Sequence, residues 1–196
     1  MFTDGLLKYQ THISHICSNA RRRIGLLYKC FQTRKIPTLL KAYITYIRPM
    51  LEYASCVWSP SQTGLIDALE SVQRRFTKLL PGMFEMNYND RLTQLGLDSL
   101  ELRRLRFDLT MTYKIIFGLC DIDAGELFTL RTESKTRGHE YKLMTENSEI
   151  NVRKSFVAQR VANVWNSLPA DKISFVSLPR FKQSLLNVDL KVFTRF

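Results

Sequence analysis

No Asp-Asp pair occurs anywhere in the chain. Nucleotidyl transfer needs two acidic side chains converging on paired metal ions, and the nearest approach is Asp121-x-Asp123 in the stretch DIDAG. Aspartates of that kind serve turns and helix caps. A glycine-rich phosphate loop, a Gly-x-Ser-x-Gly elbow and a His-Glu-x-x-His helix are also missing, which removes the motif-borne routes to phosphate, acyl and zinc chemistry. Catalysis by this chain alone is therefore not expected, nor is a cofactor or metal of its own.

Cys-x-x-Cys is absent too. Cys17, Cys30, Cys56 and Cys120 are scattered, and the expectation is free thiols in a reducing, intracellular compartment, nuclear or cytoplasmic. His12-x-x-His15-x-Cys17 has no second ligand pair, so it reads as ordinary helix-surface histidines. The start has no apolar run of the secretory kind. Its first 35 residues are Arg-rich with one acid, Asp4, but they lead straight into core-forming helices. The longest apolar stretch, Leu39 to Trp58, carries Lys41, Arg48, Pro49 and Glu52. It reads as a buried helix of a soluble protein, and no membrane partner is expected.

Acids are scarce as a class. The 196 residues hold 18 Asp+Glu against 29 Lys+Arg, a formal net charge of +11. That excess favours a polyanionic partner, nucleic acid before an anionic membrane. Hydrophobic residues make up 45%, enough for a packed core and against wholesale disorder. The length fits one domain or two small ones, with no internal repeat or low-complexity linker.

Apolar residues recur at helical steps. Ile13, Ile16, Ala20, Ile24, Leu27 and Phe31 mark a first helix from about Thr11 to Phe31, one apolar stripe wide. Pro37 opens a second, apolar nearly all round and running to Trp58, with a kink expected at Pro49. Leu65, Leu69, Val72, Phe76 and Leu79 mark a third, Gly64 to Leu80. There Glu70 stands one turn before Arg74, placed for an i,i+4 pair. Tyr88 to Leu95 reads as a short helix with Asn87 as cap and Gly96 past its end. Asp98-Ser99-Leu100-Glu101 opens a fifth that runs to about Phe117. A small β-hairpin is expected further on, with strands near His139–Met144 and Glu149–Arg153. Two C-terminal helices follow, one carrying Val157, Val161, Val164 and Leu168 and one beginning near Leu178 after Ser177.

Basic residues cluster on these helices beside aromatics. Arg21, Arg22 and Arg23 span over half the circumference of the first helix, so they cannot all face a core. Arg74, Arg75 and Lys78 flank Phe76, and Arg103, Arg104 and Arg106 flank Phe107. Such arms can neutralise phosphates without reading sequence; they can equally form a solvated face with ion pairs each worth under about 1 kcal/mol. These nine residues are the candidate nucleic-acid contacts.

Several stretches resemble, in order, the region after the polymerase palm in reverse transcriptases of LINE-type (non-LTR) retrotransposons, especially the Jockey and CR1-like branches. LLKYQTHISHI near the start is similar to the stretch after the family's primer-grip hairpin. IRPMLEYASCVWSP, from Ile47 to Pro60, resembles its most recognisable signature, and LESVQRRFTKLLPG, from Leu69 to Gly82, the next. YNDRLTQLGLDSLELRRLRFDLTMTYKI (Tyr88–Ile115), RGHEYKL (Arg137–Leu143) and SFVAQRVANVWNSLP (Ser155–Pro169) follow, with Phe181-Lys182 near the end. The resemblance implies a thumb-like helical region that grips template–primer RNA and DNA, and then a C-terminal extension. It also implies a parent polymerase whose palm and fingers would be partners and whose chemistry would use Mg. The palm, its aspartates and the endonuclease have no counterpart here, nor has the zinc knuckle of some branches. Met1 falls where the family's reading frame would be mid-protein, as expected of a truncated remnant, a wrongly delimited gene or a domesticated fragment.

The expected architecture is mainly α: a multi-helix, thumb-like bundle over residues 1–118, then an extension over 119–196 with the hairpin and two helices. The expected function is that of a non-catalytic piece of an RNA-directed DNA polymerase that holds nucleic acid. Its rivals are an inert or protein-binding helical remnant, and an active polymerase whose palm is encoded upstream.

Overall fold

The helical periodicity of the sequence is realised almost throughout. A computed structural model of the chain describes residues 9–131, 138–145 and 156–196. In chain order the elements are α1 (Gln10–Cys30), α2 (Ile36–Tyr46), α3 (Arg48–Glu52), α4 (Ser55–Trp58), α5 (Thr63–Lys78), α6 (Tyr88–Leu95) and α7 (Leu100–Ile116). Then come α8 (Ala124–Leu127), α9 (Val157–Asn166), α10 (Leu178–Leu185) and a 3-10 turn, Lys191–Phe193. The chain is mainly α. It divides into two units, Met1–Arg103 with Phe196 and Arg104–Arg195. The division falls inside α7, where sequence reasoning puts it after that helix, at 118/119. The first turn of α7 is capped by the first unit, while its later turns carry Asp108 and Tyr113 into the core of the second.

The first unit is built on α1 and α5. Ile13, Ile16, Cys17, Ala20, Ile24 and Leu27 are buried on α1 and pack in one cluster with Leu69, Val72 and Phe76 of α5. Cys17 approaches Ala68 and Arg21 bonds Ser71, so the two helices run side by side in the same sense. Tyr43 of α2 lies flat on Phe76, ring centroids 4.2 Å apart. Each such fully buried aromatic or leucine contributes about 1.5–3 kcal/mol.

The long apolar helix expected from Pro37 to Trp58 is three short ones. Pro49 has no N–H to offer Thr45, and the chain bends at Ile47 and again at Tyr53 and Ala54, where Ala54 adopts φ 54°. The breaks decide the faces. Leu39, Ala42, Tyr43, Ile47, Leu51 and Trp58 are buried, but Tyr46, Tyr53 and Val57 are 62%, 83% and 54% exposed. This stretch is thus one-sided and not surrounded.

Glu70 does not form the expected surface pair with Arg74. It is fully buried. Both carboxylate oxygens accept the N–H of Leu100, at 3.1 and 3.2 Å, and the Tyr88 hydroxyl donates to it as well. Gln73 accepts from the Tyr43 hydroxyl at 3.0 Å and donates to Tyr88 Oη and to the carbonyl of Asp98. Burial, and then the Glu70 charge, push both tyrosine hydroxyls well above their ordinary range, which keeps them protonated as donors. A carboxylate at a helix N-terminus meets the positive end of the dipole and an N–H with no partner inside the helix. The α5 glutamate therefore starts α7, alongside Ser99, whose hydroxyl caps Leu102 N–H at 3.1 Å.

In the second unit, Tyr113 stacks on Phe117 and Phe181, centroids 4.4 and 4.6 Å apart, with Phe175 and Trp165 packed around them. Arg160 grips the buried carboxylate of Asp108 with two bonds of 2.8 Å. The second strand of the expected hairpin lies outside the described residues. The first makes a single antiparallel bridge, Leu143 opposite Leu130, and is otherwise strapped to α9. Asn166 brackets Leu143 N–H and C=O at 2.8 Å each, Trp165 Nε1 donates to the Tyr141 carbonyl at 2.6 Å, and His139 Nε2 bonds the Trp165 carbonyl at 2.8 Å. Two stretches singled out in the sequence, 137–143 and 155–169, thus meet through those residues of theirs that the structure describes.

Candidate nucleic-acid interface

The three basic clusters meet different fates. Arg21, Arg22 and Arg23 are all exposed, as the width of their arc requires. Arg21 reaches across to α5, its Nη2 2.8 Å from Ser71 Oγ. Arg22 folds back on Asn19. Arg23 turns the other way and donates to the Tyr46 carbonyl at 3.2 Å, at the end of α2.

On α5, Arg75 stands one turn beyond Ser71 and Lys78 three residues further, both exposed. Residues at these spacings share a helix face. Arg21, Arg75 and Lys78 therefore line one seam where α1 and α5 lie side by side. Lys78 Nζ also sits 4.3 Å from the centre of the exposed Phe84 ring. Arg74 is held apart from this seam. Its guanidinium lies over the Tyr88 ring at 5.1 Å and the Phe196 ring at 5.2 Å, a cation–π arrangement that ties it to the fold.

The third cluster is used internally. Arg103 forms a two-bond pair with Glu52, which Arg48 approaches at 3.9 Å. Arg104 is only 2% exposed and Arg106 is half-buried. Arg103 is thus engaged on a carboxylate and Arg104 is enclosed, so neither is presented to solvent as Arg21, Arg75 and Lys78 are. Helical spacing placed them correctly on α7. What it hid was Glu52, 51 residues earlier.

One signal in the sequence marks the basic face better than the triplets do. Between Asp4 and Glu52 there is no acidic residue at all, while Arg21, Arg22, Arg23, Lys29, Arg34, Lys35, Lys41 and Arg48 all lie in that interval. α1 and α2 therefore present positive charge with nothing nearby on the same elements to neutralise it. Beside Arg23 the same two helices leave an apolar groove of about 270 Å³, walled by Leu26, Leu27, Phe31, Tyr46 and Ile47.

Among the described residues no group of three or more His, Cys, Asp or Glu is gathered to hold a metal ion. Asp123 accepts the Gly125 N–H at 2.9 Å at the start of α8, so this half of the DIDAG pair acts as a cap. Cys17 is buried and Cys30 exposed, and neither is in a disulfide. No helix among the described residues is long and apolar enough to cross a membrane.

The chain is similar to the Caenorhabditis elegans protein described as Uncharacterized protein B0403.1, with 26% identity over 121 residues. That alignment takes in 60% of this chain and 61% of the worm protein, so the chain spans about three fifths of its length. No family model matches the chain, and no solved structure matches it.

Proposed function

We propose that the chain holds nucleic acid through the α1–α5 face, as a non-catalytic, post-palm piece of a LINE-type reverse transcriptase. The observation that carries this reading is the exposed seam of Arg21, Arg75 and Lys78 on a framework whose first two helices contain no acid. Arms of this kind contact phosphates irrespective of base sequence. The order of the sequence stretches that resemble the family supports the ancestry. In the parent polymerase the acidic residues and Mg would come from a palm elsewhere, and this region would grip the template–primer. Titration of the full chain with a labelled primer–template duplex tests the reading: binding at low ionic strength that weakens steeply with added salt is expected. No binding at low salt removes it. An in-frame aromatic-x-Asp-Asp in the genomic DNA before Met1 would extend the chain to a whole polymerase.

A second reading has its own support. Tyr53 and Val57 are 83% and 54% exposed on adjoining turns, an apolar surface that suits contact with protein, either a palm domain or a second copy. Sedimentation at two concentrations separates these: self-association appears as a mass that rises with concentration.

A further inference from the structure

We propose that the groove between α1 and α2 takes an unstacked base of a single-stranded nucleic acid, with Tyr46 as its stacking platform and Arg23 at its phosphate. This rests on the nucleic-acid reading above and adds to the α1–α5 face a second contact, on α1 and α2, for a single strand. The groove measures about 270 Å³ and its walls are almost wholly apolar. Pockets for drug-sized ligands run to about 300–1,000 Å³, so this one suits a single ring system.

The Tyr46 side chain closes one side. It is 62% exposed, large, flat and on a helix end. Leu26 lines the same groove from α1 and is itself 57% exposed. Exposed aromatic and leucine surface at the mouth of an apolar slot is what a base would cover, since every base presents a π-face.

Charge completes the recognition. Arg23 lies at the groove edge and spends one N–H on the Tyr46 carbonyl, out of the five a guanidinium carries. That bond fixes the arm beside the slot. Arg22 is the next residue, and no acid lies on either helix to repel a phosphate. A duplex would keep its bases stacked and out of reach, so the slot selects a single strand.

The test uses the full chain and two labelled DNA probes of equal length and charge. One is a mixed-sequence single strand and the other an abasic strand of tetrahydrofuran units. The intact strand is expected to bind about tenfold more tightly than the abasic one. Tyr46→Ala should bring that ratio to about one, as should Leu26→Ser; both sites are exposed and both variants should keep the helical circular dichroism of the parent. Equal affinity for the two strands, or a ratio that neither substitution moves, overturns the slot while the phosphate-binding face stands. No binding of either strand at low salt overturns both. Tyr46-dependent sedimentation with phosphatidylserine vesicles, without any preference for the intact strand, overturns the slot in favour of lipid.

Discussion

Ala54 holds the left-handed backbone region, φ 54° and ψ 27°, at the start of α4. A Cβ there costs roughly 1–2 kcal/mol, and glycine avoids that cost while losing about 0.4–1 kcal/mol through the freer unfolded chain. Ala54→Gly should therefore raise stability by about 0.5–1 kcal/mol, seen as a higher urea midpoint. Ala54→Val should lower it, since a branched Cβ suits this region least. Nothing local announced the position. IRPMLEYASCVWSP reads as continuous helix, and only the break forced by Pro49, with Trp58 then turning inward to donate to the Tyr53 carbonyl at 2.8 Å, makes the reversal necessary. His139 carries a prediction of another kind. Its Nε2 bonds the Trp165 carbonyl and so carries the proton, while Nδ1 is enclosed without a hydrogen-bond partner among the described residues. Burial lowers its pKa below the ordinary 6.5, the bond to Trp165 opposes this, and nearby Lys142 adds to the lowering. The unfolded chain then binds a proton at higher pH than the folded one, so stability is full above about pH 6.5 and falls as pH drops through the folded pKa. His12, lowered by burial against Trp58, adds a slope of the same sign. His139→Gln keeps a donor for Trp165 and should flatten the decline of the urea midpoint below about pH 6.5; a decline as steep as the parent's would place the acid sensitivity elsewhere.

Whole helices were legible wherever their signals are local. α1, α5 and α6 start and stop within about two residues of the sequence reading, because a one-sided stripe, the Asn87 cap that accepts Asp90 N–H and the left-handed Gly96 each act over a single turn. Legibility failed where a partner is distant in sequence. Glu70 looked like half of an i,i+4 pair because Arg74 is the only partner that spacing can reveal. Its actual partners stand 18 and 30 residues on, at Tyr88 and Leu100. The segment near His139 is polar and irregular in sequence; its backbone bonds reach Thr129 and Arg131 on one side and, at Leu143, Asn166 on α9, 23 residues away. The Glu70 arrangement has a measurable weight. Glu70→Gln keeps the shape and one acceptor but removes the charge that faces the α7 dipole. Hydrogen bonds to charged groups contribute about 1.5–3 kcal/mol, so a loss of about 2 kcal/mol in urea unfolding is expected. Tyr88→Phe should lose less, since one donor goes and the Leu100 bonds stay. A neutral Glu70→Gln would mean that α7 starts on Ser99 alone.

For the molecule as a whole, the sum of charges was plain from composition, and its distribution was only half so. A net +11 predicts attraction to polyanions but not which arginines meet them. Three triplets looked equivalent in sequence. Folding sets them apart, because carboxylates and aromatic rings brought in from elsewhere occupy Arg103 and Arg74, and the core encloses Arg104, while the α1–α5 seam stays open. That difference separates electrostatic from structural roles in one pair of measurements. Each phosphate neutralised adds about 0.9 to the salt slope of duplex binding. Replacing Arg21, Arg75 and Lys78 together with glutamine should therefore reduce the slope by up to about 2–3 with little effect on the urea midpoint. Arg103→Gln should do the reverse, leaving the slope where it was and lowering stability, because Glu52 loses a two-bond partner in a site only partly open to water. If Arg103→Gln flattened the slope as much as the triple change, the α7 cluster would have to open toward nucleic acid in solution. If neither changed it, the seam would be a solvated surface and the positive charge would act only at long range.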